Sequence, residues 1–262
     1  MLPTIEPFSS PQPALLAAHQ VGVTFAGLRA LREVTLQVQT GQVVGLIGPN
    51  GAGKTTMVNV LTGFQSPSSG TVRLDGRTLN GLPAHAFRRL GIARTFQAGR
   101  LFKGLSVLDN LVVTGTALGQ TQGAARKQAQ GLLEQMQLSQ LGDRLATGLP
   151  YTDERRVAIA RALMEHPQFV LLDEPAAGMT DHEASELAEL IRTMALRRGC
   201  GVLLIEHNVR MVLETCTHIV VLDSGTVIAS GSPDDIRSSD VVRHAYMGTA
   251  AELPKQTETA LG

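Results

Sequence analysis

The sequence predicts an α/β fold with a parallel core sheet, an N-terminal antiparallel β layer and a helical subdomain. Three observations predict it. Apolar and polar residues alternate near the N-terminus, a helix pattern dominates the middle of the chain, and short apolar runs alternate with helix patterns in the final third. The 262 residues, 43% of them hydrophobic, are enough for one domain with a subdomain and a sizeable core.

Strand and helix signals give the order of the elements. In the N-terminal part these are strands at 17–25, 34–38 and 42–47, a helix at 54–64, a strand at 70–75, a short helix at 82–90 and a strand at 91–95. Helices at 107–116, 124–136 and 154–165 follow, and then strands at 169–172, 202–205 and 219–222 alternate with helices at 181–198 and 208–215. The last alternation is typical of βαβ units on a parallel sheet.

Composition sets the expected domain boundaries. Residues 1–14, rich in proline and serine, predict a flexible leader, and residues 249–262 a flexible tail. The folded domain is expected at 15–248, with the helical subdomain at about 98–165.

A glycine-rich segment follows the strand predicted at 42–47 and opens the helix predicted at 54–64. Its residues are Gly48, Pro49, Asn50, Gly51, Ala52, Gly53, Lys54, Thr55 and Thr56. Glycines at this spacing let backbone N–H groups curl around an oligophosphate, and the helix N-terminus adds its positive dipole. Lys54 can reach the β- and γ-phosphates, and the Thr55 hydroxyl is suited to Mg²⁺. The segment predicts binding of a nucleoside triphosphate; a turn that binds nothing is the alternative.

Polar side chains also end two of the predicted parallel strands. Asp173 and Glu174 follow the strand at 169–172, and His207 follows the strand at 202–205. In this position Asp173 can hold Mg²⁺ through water, Glu174 can act as a general base, and His207 can donate to the γ-phosphate. The alternatives are a solvated acidic turn for the pair and a packed or capping role for the histidine.

Charge and composition argue against several function classes. Lys+Arg and Asp+Glu each number 23, and this zero formal charge gives no support to a nucleic-acid partner. Cys200 and Cys216 lack metal-ligand spacing and are expected to be reduced and buried. No run approaches 18 apolar residues, and the N-terminus lacks the pattern of a signal peptide. We therefore expect a cytosolic chain.

Together these motifs resemble those of the nucleotide-binding subunits of ABC transporters, over roughly residues 15–248. In order they are the phosphate loop, Arg94-Thr-Phe-Gln97, the helical stretch, 151–156, Leu172-Asp-Glu-Pro175 and Glu206-His207. Segments similar to the high-affinity branched-chain amino-acid importers are 27–28, 61–64, 91–97, 100–102, 175–178 and 205–207. The resemblance implies a P-loop NTPase fold of the ABC type and an ATPase that uses ATP and Mg²⁺.

The resemblance also implies residue roles and partners. Phe25 falls where the family places an aromatic ring against adenine, with a simple exposed position as the alternative. Gln97 falls at the switch loop that contacts Mg²⁺, and residues 100–102 lie where a coupling helix docks. The implied partners are a second ABC ATPase subunit of different sequence, two integral-membrane permease subunits and a periplasmic or extracellular binding protein. The implied location is peripheral, on the cytoplasmic face of the plasma membrane.

One segment departs from the family pattern. Where the amino-acid branch often has Leu-Pro-Tyr-Gly-Asp-Gln, this chain continues after Leu149 with Pro150, Tyr151, Thr152, Asp153 and Glu154. In the family this signature segment presents backbone N–H groups and a helix N-terminus to the γ-phosphate held by the other subunit. We expect the Cβ of Thr152 to obstruct close approach and to disfavour a positive φ. Alternatively, Thr152 is an N-cap, with the two acids complementing the helix dipole.

These expectations define a working cycle. ATP at Lys54 and Thr55 draws two subunits together, closure moves the membrane subunits through the Gln97 region, and hydrolysis assisted by Glu174 resets them. In a heterodimer Thr152 weakens only the site on the partner's phosphate loop, which predicts one strong and one weak ATP site. The alternatives are the ATPase of a urea or lipopolysaccharide-type system, a nucleotide-sensing subunit with weak turnover, and a soluble ABC ATPase acting in translation or repair.

Overall fold

The computed structural model describes residues 13–96 and 100–247. The strands in these ranges are β1 (Leu15–Phe25), β2 (Leu28–Gln39), β3 (Val43–Ile47), β4 (Ser69–Leu74), β5 (Arg77–Thr78), β6 (Ile92–Arg94), β7 (Phe169–Asp173), β8 (Gly201–Ile205), β9 (His218–Asp223) and β10 (Thr226–Gly231). The α-helices are α1 (Lys54–Leu61), α2 (Ala84–Arg89), α3 (Val107–Ala117), α4 (Gln122–Gln135), α5 (Tyr151–Ala162), α6 (Asp181–Arg198), α7 (Val209–Thr215), α8 (Pro233–Ser238) and α9 (Asp240–Met247).

The N-terminal strands form the predicted antiparallel layer. Its strand order is β2-β1-β4-β5, and each neighbouring pair is antiparallel. The prediction placed the second strand at 34–38, but β2 already begins at Leu28, because Ala26 and Gly27 make a tight turn with φ of 44° and 90°. The two-residue strand β5 was not predicted.

The second sheet carries the carboxyl-terminal strand ends that the sequence singles out. Its order is β10-β9-β3-β8-β7-β6; all neighbours pair in parallel except β10 with β9. Strands β3, β8 and β7 are adjacent, so the segments that follow them emerge at one edge of the sheet. In open parallel sheets, ligands bind in the crevice beyond these carboxyl ends.

Successive residues of the central strands face opposite sides of the sheet, and this alternation separates two hydrophobic cores. On β7, Val170 and Leu172 join the core with the helices, whereas Phe169 and Leu171 join the core beneath the antiparallel layer. All five residues of β7 are buried. A near-continuous apolar run is expected for a strand that is covered on both faces.

The helical stretch differs from its prediction at one functionally important place. Helix α5 begins at Tyr151 rather than at residue 154, so the signature segment forms its first turn instead of preceding it. The bounds of α6 match the prediction, because Thr180 and Glu183 form a capping box at its start and Gly199 ends it in the left-handed conformation. Strand β10 and helices α8 and α9 were not predicted.

Candidate functional site

The phosphate loop lies between β3 and α1, as the sequence predicts, and two of its glycines are sterically required. A Cβ on Gly48 would lie 2.1 Å from the carbonyl oxygen of Leu222, and a Cβ on Gly53 would lie 2.8 Å from that of Ala30. Gly53 also has a φ of 104°, in the left-handed region that other residues rarely adopt. The neighbouring strands therefore leave no room for a larger residue, and the loop closes tightly over the sheet edge.

Lys54 fixes the loop from the inside. Its ammonium Nζ donates to the carbonyl oxygens of Gly48, at 2.7 Å, and Pro49, at 3.0 Å. Burial lowers the pKa of Lys54, and the nearby carboxylates of Glu174 and Asp173 oppose that shift. The charge is thus held at the loop, close to the two acids that the sequence predicts as its partners.

A cavity of about 390 Å³ lies in front of the loop. It is lined by Leu28, Arg29, Ala30, Arg32, Asn50, Gly51, Ala52, Gly53, Lys54, Thr55, Thr56, Glu174, His207 and Ser224. The structure thus brings the loop, the predicted base and the predicted histidine together around one cavity. Gly48 and Pro49 do not line the cavity, but their carbonyl oxygens accept hydrogen bonds from Lys54, which does.

Other predicted site residues do not line this cavity. Phe25 lies at the tip of the β1–β2 hairpin and is 45% exposed, while its hairpin partner Leu28 lies at the cavity wall. The segment from Pro150 to Asp153 also lies outside the lining. Gln97 falls outside the described residues. The roles of these residues remain predictions.

The two acids differ in their surroundings. Asp173 ends β7 and is 7% exposed; its Oδ2 accepts a hydrogen bond from Nη2 of Arg94 at 2.9 Å. Burial raises the pKa of Asp173; the Arg94 guanidinium opposes this shift, and the negative charge of Glu174 adds to it. Glu174 has a left-handed φ of 49°, and its backbone N–H donates to the carbonyl oxygen of Ile205 on the adjacent strand. The chain therefore turns sharply after β7 and directs Glu174 into the cavity.

His207 and Glu174 are in direct contact. The Nε2 atom of His207 lies 2.8 Å from Oε1 of Glu174, and the histidine side chain is 45% exposed. This geometry agrees with the prediction that the ends of β7 and β8 place both groups in one crevice. The packed alternative does not fit this exposure, and the N-cap of the following helix α7 is Asn208 rather than His207.

Two residues of the site were missed by sequence reasoning. Glu206, 2% exposed, accepts the backbone N–H of Ala176 at 2.6 Å and that of His207 at 3.1 Å, so it holds together the segments that follow β7 and β8. Burial raises its pKa, and these backbone hydrogen bonds oppose the shift. Arg94 is the second, through its ion pair with Asp173. The signal in the sequence that could have identified both residues is a charged side chain at the end of an apolar strand.

The signature segment is helical, and the N-cap alternative for Thr152 is wrong. The φ of Thr152 is not positive, as expected for a residue with a Cβ, and the N-cap is Pro150, which makes no side-chain cap. Thr152 instead donates from Oγ1 to Oε1 of Glu183, at 2.8 Å, and so ties the first turn of α5 to that of α6. Asp153 and Glu154 do lie in the first turn, where their charge complements the helix dipole.

The donor set around the loop fits a magnesium ion that is shared with a nucleotide. The described residues contain no cluster of three or more His, Cys, Asp or Glu able to hold a metal ion by themselves. They do offer the Thr55 hydroxyl in the cavity and the buried Asp173 carboxylate close to Lys54. Mg²⁺ usually takes one or two such groups and completes its shell with phosphate oxygens and water.

A phosphate loop on a parallel sheet, with an acid and a histidine facing it, defines a nucleotide-hydrolysing cassette. A family model described as ABC transporter matches residues 31–177, and the chain belongs to that family. The protein is accordingly an ATP-hydrolysing transport ATPase subunit.

The similar proteins narrow this class. The chain is 39% identical over 251 residues to the high-affinity branched-chain amino acid transport ATP-binding protein BraF of Pseudomonas aeruginosa, covering 90% of this chain and 98% of that one. It is 40% identical to LivG of Escherichia coli, of the same description, with the same coverage. It is 34% identical to the lipopolysaccharide export system ATP-binding protein LptB of Haemophilus influenzae, covering 92% of this chain and all of LptB. The predicted resemblance to the branched-chain amino-acid ATPases is confirmed.

Solved structures confirm the predicted fold. The ADP conformation of MJ1267, an ATP-binding cassette of an ABC transporter, matches with a TM-score of 0.82 and 30% identity, covering 90% of this chain and 99% of that chain. A nucleotide-free ATP-binding cassette from an ABC transporter matches with a TM-score of 0.78 and 28% identity, covering 89% and 98%. None of the helices in the described part of the chain is long and apolar enough to cross a membrane.

Proposed function

We propose that this chain energises an importer of branched-chain amino acids by ATP-driven closure of a dimer of ATPase subunits. The observation that carries the proposal is the convergence of Lys54, Glu174 and His207 on one cavity in a chain about 40% identical to LivG. The proposed partners are a second ATPase subunit, two integral-membrane permease subunits and a periplasmic or extracellular binding protein. The proposed location is the cytoplasmic face of the plasma membrane.

The geometry supports a division of roles in the cavity. Lys54 and the loop N–H groups bind the β- and γ-phosphates of ATP. Thr55 and Asp173, with Gln97 of the switch loop, would hold Mg²⁺, which supplies charge neutralisation to the phosphates. Glu174 accepts a proton from the attacking water, and His207, 2.8 Å from Glu174, steadies that carboxylate and donates to the γ-phosphate. Phe25 stacks against adenine at the mouth of the site.

Uptake and hydrolysis in the assembled complex test this function. When the chain is co-expressed with its genomically neighbouring permeases and binding protein, we expect uptake of labelled leucine, isoleucine and valine, and an ATPase rate that rises with the loaded binding protein. A complex that carries Lys54→Met is the control. A complex that hydrolyses ATP but transports only an unrelated substrate contradicts the branched-chain assignment. LptB at 34% identity makes lipopolysaccharide export the second candidate.

The two ATP sites of the complex are expected to be unequal. The site on this chain's Lys54 is completed by the partner's signature segment, whereas Thr152 faces the partner's γ-phosphate with a side chain fixed to Glu183. Glu174→Gln in this chain is therefore expected to remove most of the turnover, and the equivalent change in the partner much less. Steady-state phosphate release by the two complexes measures the difference; equal losses contradict the asymmetry.

Thr152→Gly gives this asymmetry a second test. In a complex whose stronger site is silenced by Glu174→Gln, the glycine variant is expected to raise the residual turnover, because it removes the Cβ from the interface. Thr152→Ser, which keeps both the Cβ and the hydroxyl, serves as the matched control. If the complex hydrolyses no ATP either with or without Glu174→Gln, the alternative of a nucleotide-sensing subunit is favoured.

A further inference from the structure

Arg94, at the end of β6, contacts the carboxylate that ends the neighbouring strand. Strands β6 and β7 pair in parallel, and Nη2 of Arg94 donates to Oδ2 of Asp173 at 2.9 Å. Both side chains are only 8% exposed. An ion pair with this little solvent is weakly screened and has a defined geometry, unlike a surface pair.

The guanidinium is also held by groups other than Asp173. Its Nη1 donates to Oδ1 of Asn59 on α1 at 2.6 Å, and its Nε donates to the carbonyl oxygen of Thr95 at 3.2 Å. Its central carbon lies 4.6 Å from the ring centroid of Phe96 and 5.5 Å from that of Phe64. A cation fixed from several sides in this way sets the orientation of the carboxylate that it contacts.

We propose that Arg94 is a positioning residue that orients Asp173 toward the magnesium ion of the bound nucleotide, and that Phe96 transmits changes in the neighbouring pocket to this carboxylate. The inference rests on the proposed magnesium site. Groups that hydrogen-bond to metal ligands orient them, and their loss typically costs about 10–100-fold in metal affinity. Arg94 has this relation to Asp173 and has no place in the cavity lining itself.

The neighbouring pocket is an apolar cavity that Arg94 itself helps to line. It has a volume of about 350 Å³, and Phe64, Phe96 and Arg94 contribute to its wall. The carbonyl oxygen of Phe96 also accepts a hydrogen bond from Nη1 of Arg155 on α5, at 3.3 Å. The ring of Phe96 thus contacts the cation that holds Asp173, while its backbone contacts the signature helix. A shift of Phe96 therefore changes the support of Arg94 directly.

Binding measurements without hydrolysis test the inference. The dissociation constant of a fluorescent, non-hydrolysable ATP analogue is measured once with Mg²⁺ and once with EDTA. The constant in EDTA divided by the constant with Mg²⁺ gives the contribution of the metal to binding, and this quotient is called the ratio below. For Arg94→Lys, which keeps the charge but loses the planar fork, we expect the metal-dependent tightening to fall by up to about tenfold. The constant in EDTA should be unchanged. Phe96→Leu should lower the ratio in the same direction, to a smaller extent.

Arg88→Lys is the matched control. Arg88 lines the same pocket, but its Nη2 donates to the carbonyl oxygens of Met164, at 2.6 Å, and Ala162, at 3.3 Å, and not to Asp173. Its variant should lower thermal stability without changing the ratio.

The outcomes separate this inference from the proposed function. An unchanged or increased ratio in folded Arg94→Lys overturns the positioning role, and an unchanged ratio in Phe96→Leu overturns the transmission through the pocket. Equal constants with Mg²⁺ and EDTA in the unmodified protein overturn the magnesium site, and the inference with it.

Discussion

Glu174→Gln is expected to lower ATP turnover by about 10²–10⁴-fold while ATP binding is retained, because the change removes a general base without changing the size of the side chain. The left-handed turn at Glu174 and the hydrogen bond from its N–H to Ile205 do not depend on its carboxylate. The glutamine can still contact His207, which lies 2.8 Å from Oε1. The cavity should therefore keep its shape and bind nucleotide normally.

Phosphate release and binding of a fluorescent ATP analogue are the two measurements for this variant. Glu189→Gln is the matched control, since Glu189 lies on the exposed face of α6, where it forms an ion pair with Arg192 of the same helix. The control should hydrolyse ATP at the unmodified rate. A Glu174→Gln variant that retains full turnover contradicts the assignment of the base, and one that loses binding shows that the carboxylate has a structural role.

The parts of this site that are local in sequence were predicted correctly. The strand-loop-helix around Lys54 depends on glycine spacing, on the apolar run of β3 and on a helix start, all within about twenty residues. The bounds of α6 follow from its caps, Thr180 and Gly199. Asp173 and Glu174 were placed at the sheet edge because parallel strands end on the same side.

The parts that were missed depend on contacts between distant residues. Arg94 and Asp173 are 79 positions apart, and Ala176 and Glu206 are 30 apart. The N-cap alternative for Thr152 was wrong for the same reason: its hydroxyl could cap its own helix or reach another, and a partner 31 positions away, Glu183, determined the outcome. Local propensity cannot choose between such partners, because tertiary packing determines which one is within reach.

Lys54→Met is the second change with a large expected effect, and here the loss is in nucleotide binding. The ammonium donates to the carbonyl oxygens of Gly48 and Pro49, and the lysine of a phosphate loop is the side chain that reaches the β- and γ-phosphates. Methionine fills a similar volume but can neither neutralise a phosphate nor donate a hydrogen bond. We therefore expect most of the stabilisation by ATP to be lost.

Thermal unfolding with and without ATP measures this effect. Ligand at about 100 times its dissociation constant stabilises a protein by about 2.7 kcal/mol, and for a chain of this size each kcal/mol raises Tm by about 2–4 °C. ATP should thus raise the Tm of the unmodified protein by roughly 5–10 °C, and that of the variant far less. Lys127→Met, at an exposed position of α4, is the control and should keep the full shift.

The same experiment distinguishes a binding role of Lys54 from a structural one. Burial lowers the pKa of Lys54, which means that its charge is costly in the folded protein, and the two carboxylates only partly offset that cost. Methionine removes this cost, but it also removes the donor to the carbonyl oxygens of Gly48 and Pro49. We therefore expect the variant without ATP to unfold at a Tm close to that of the unmodified protein. A lower Tm without ATP, together with a preserved ATP shift, would mean that Lys54 serves the loop and not the nucleotide.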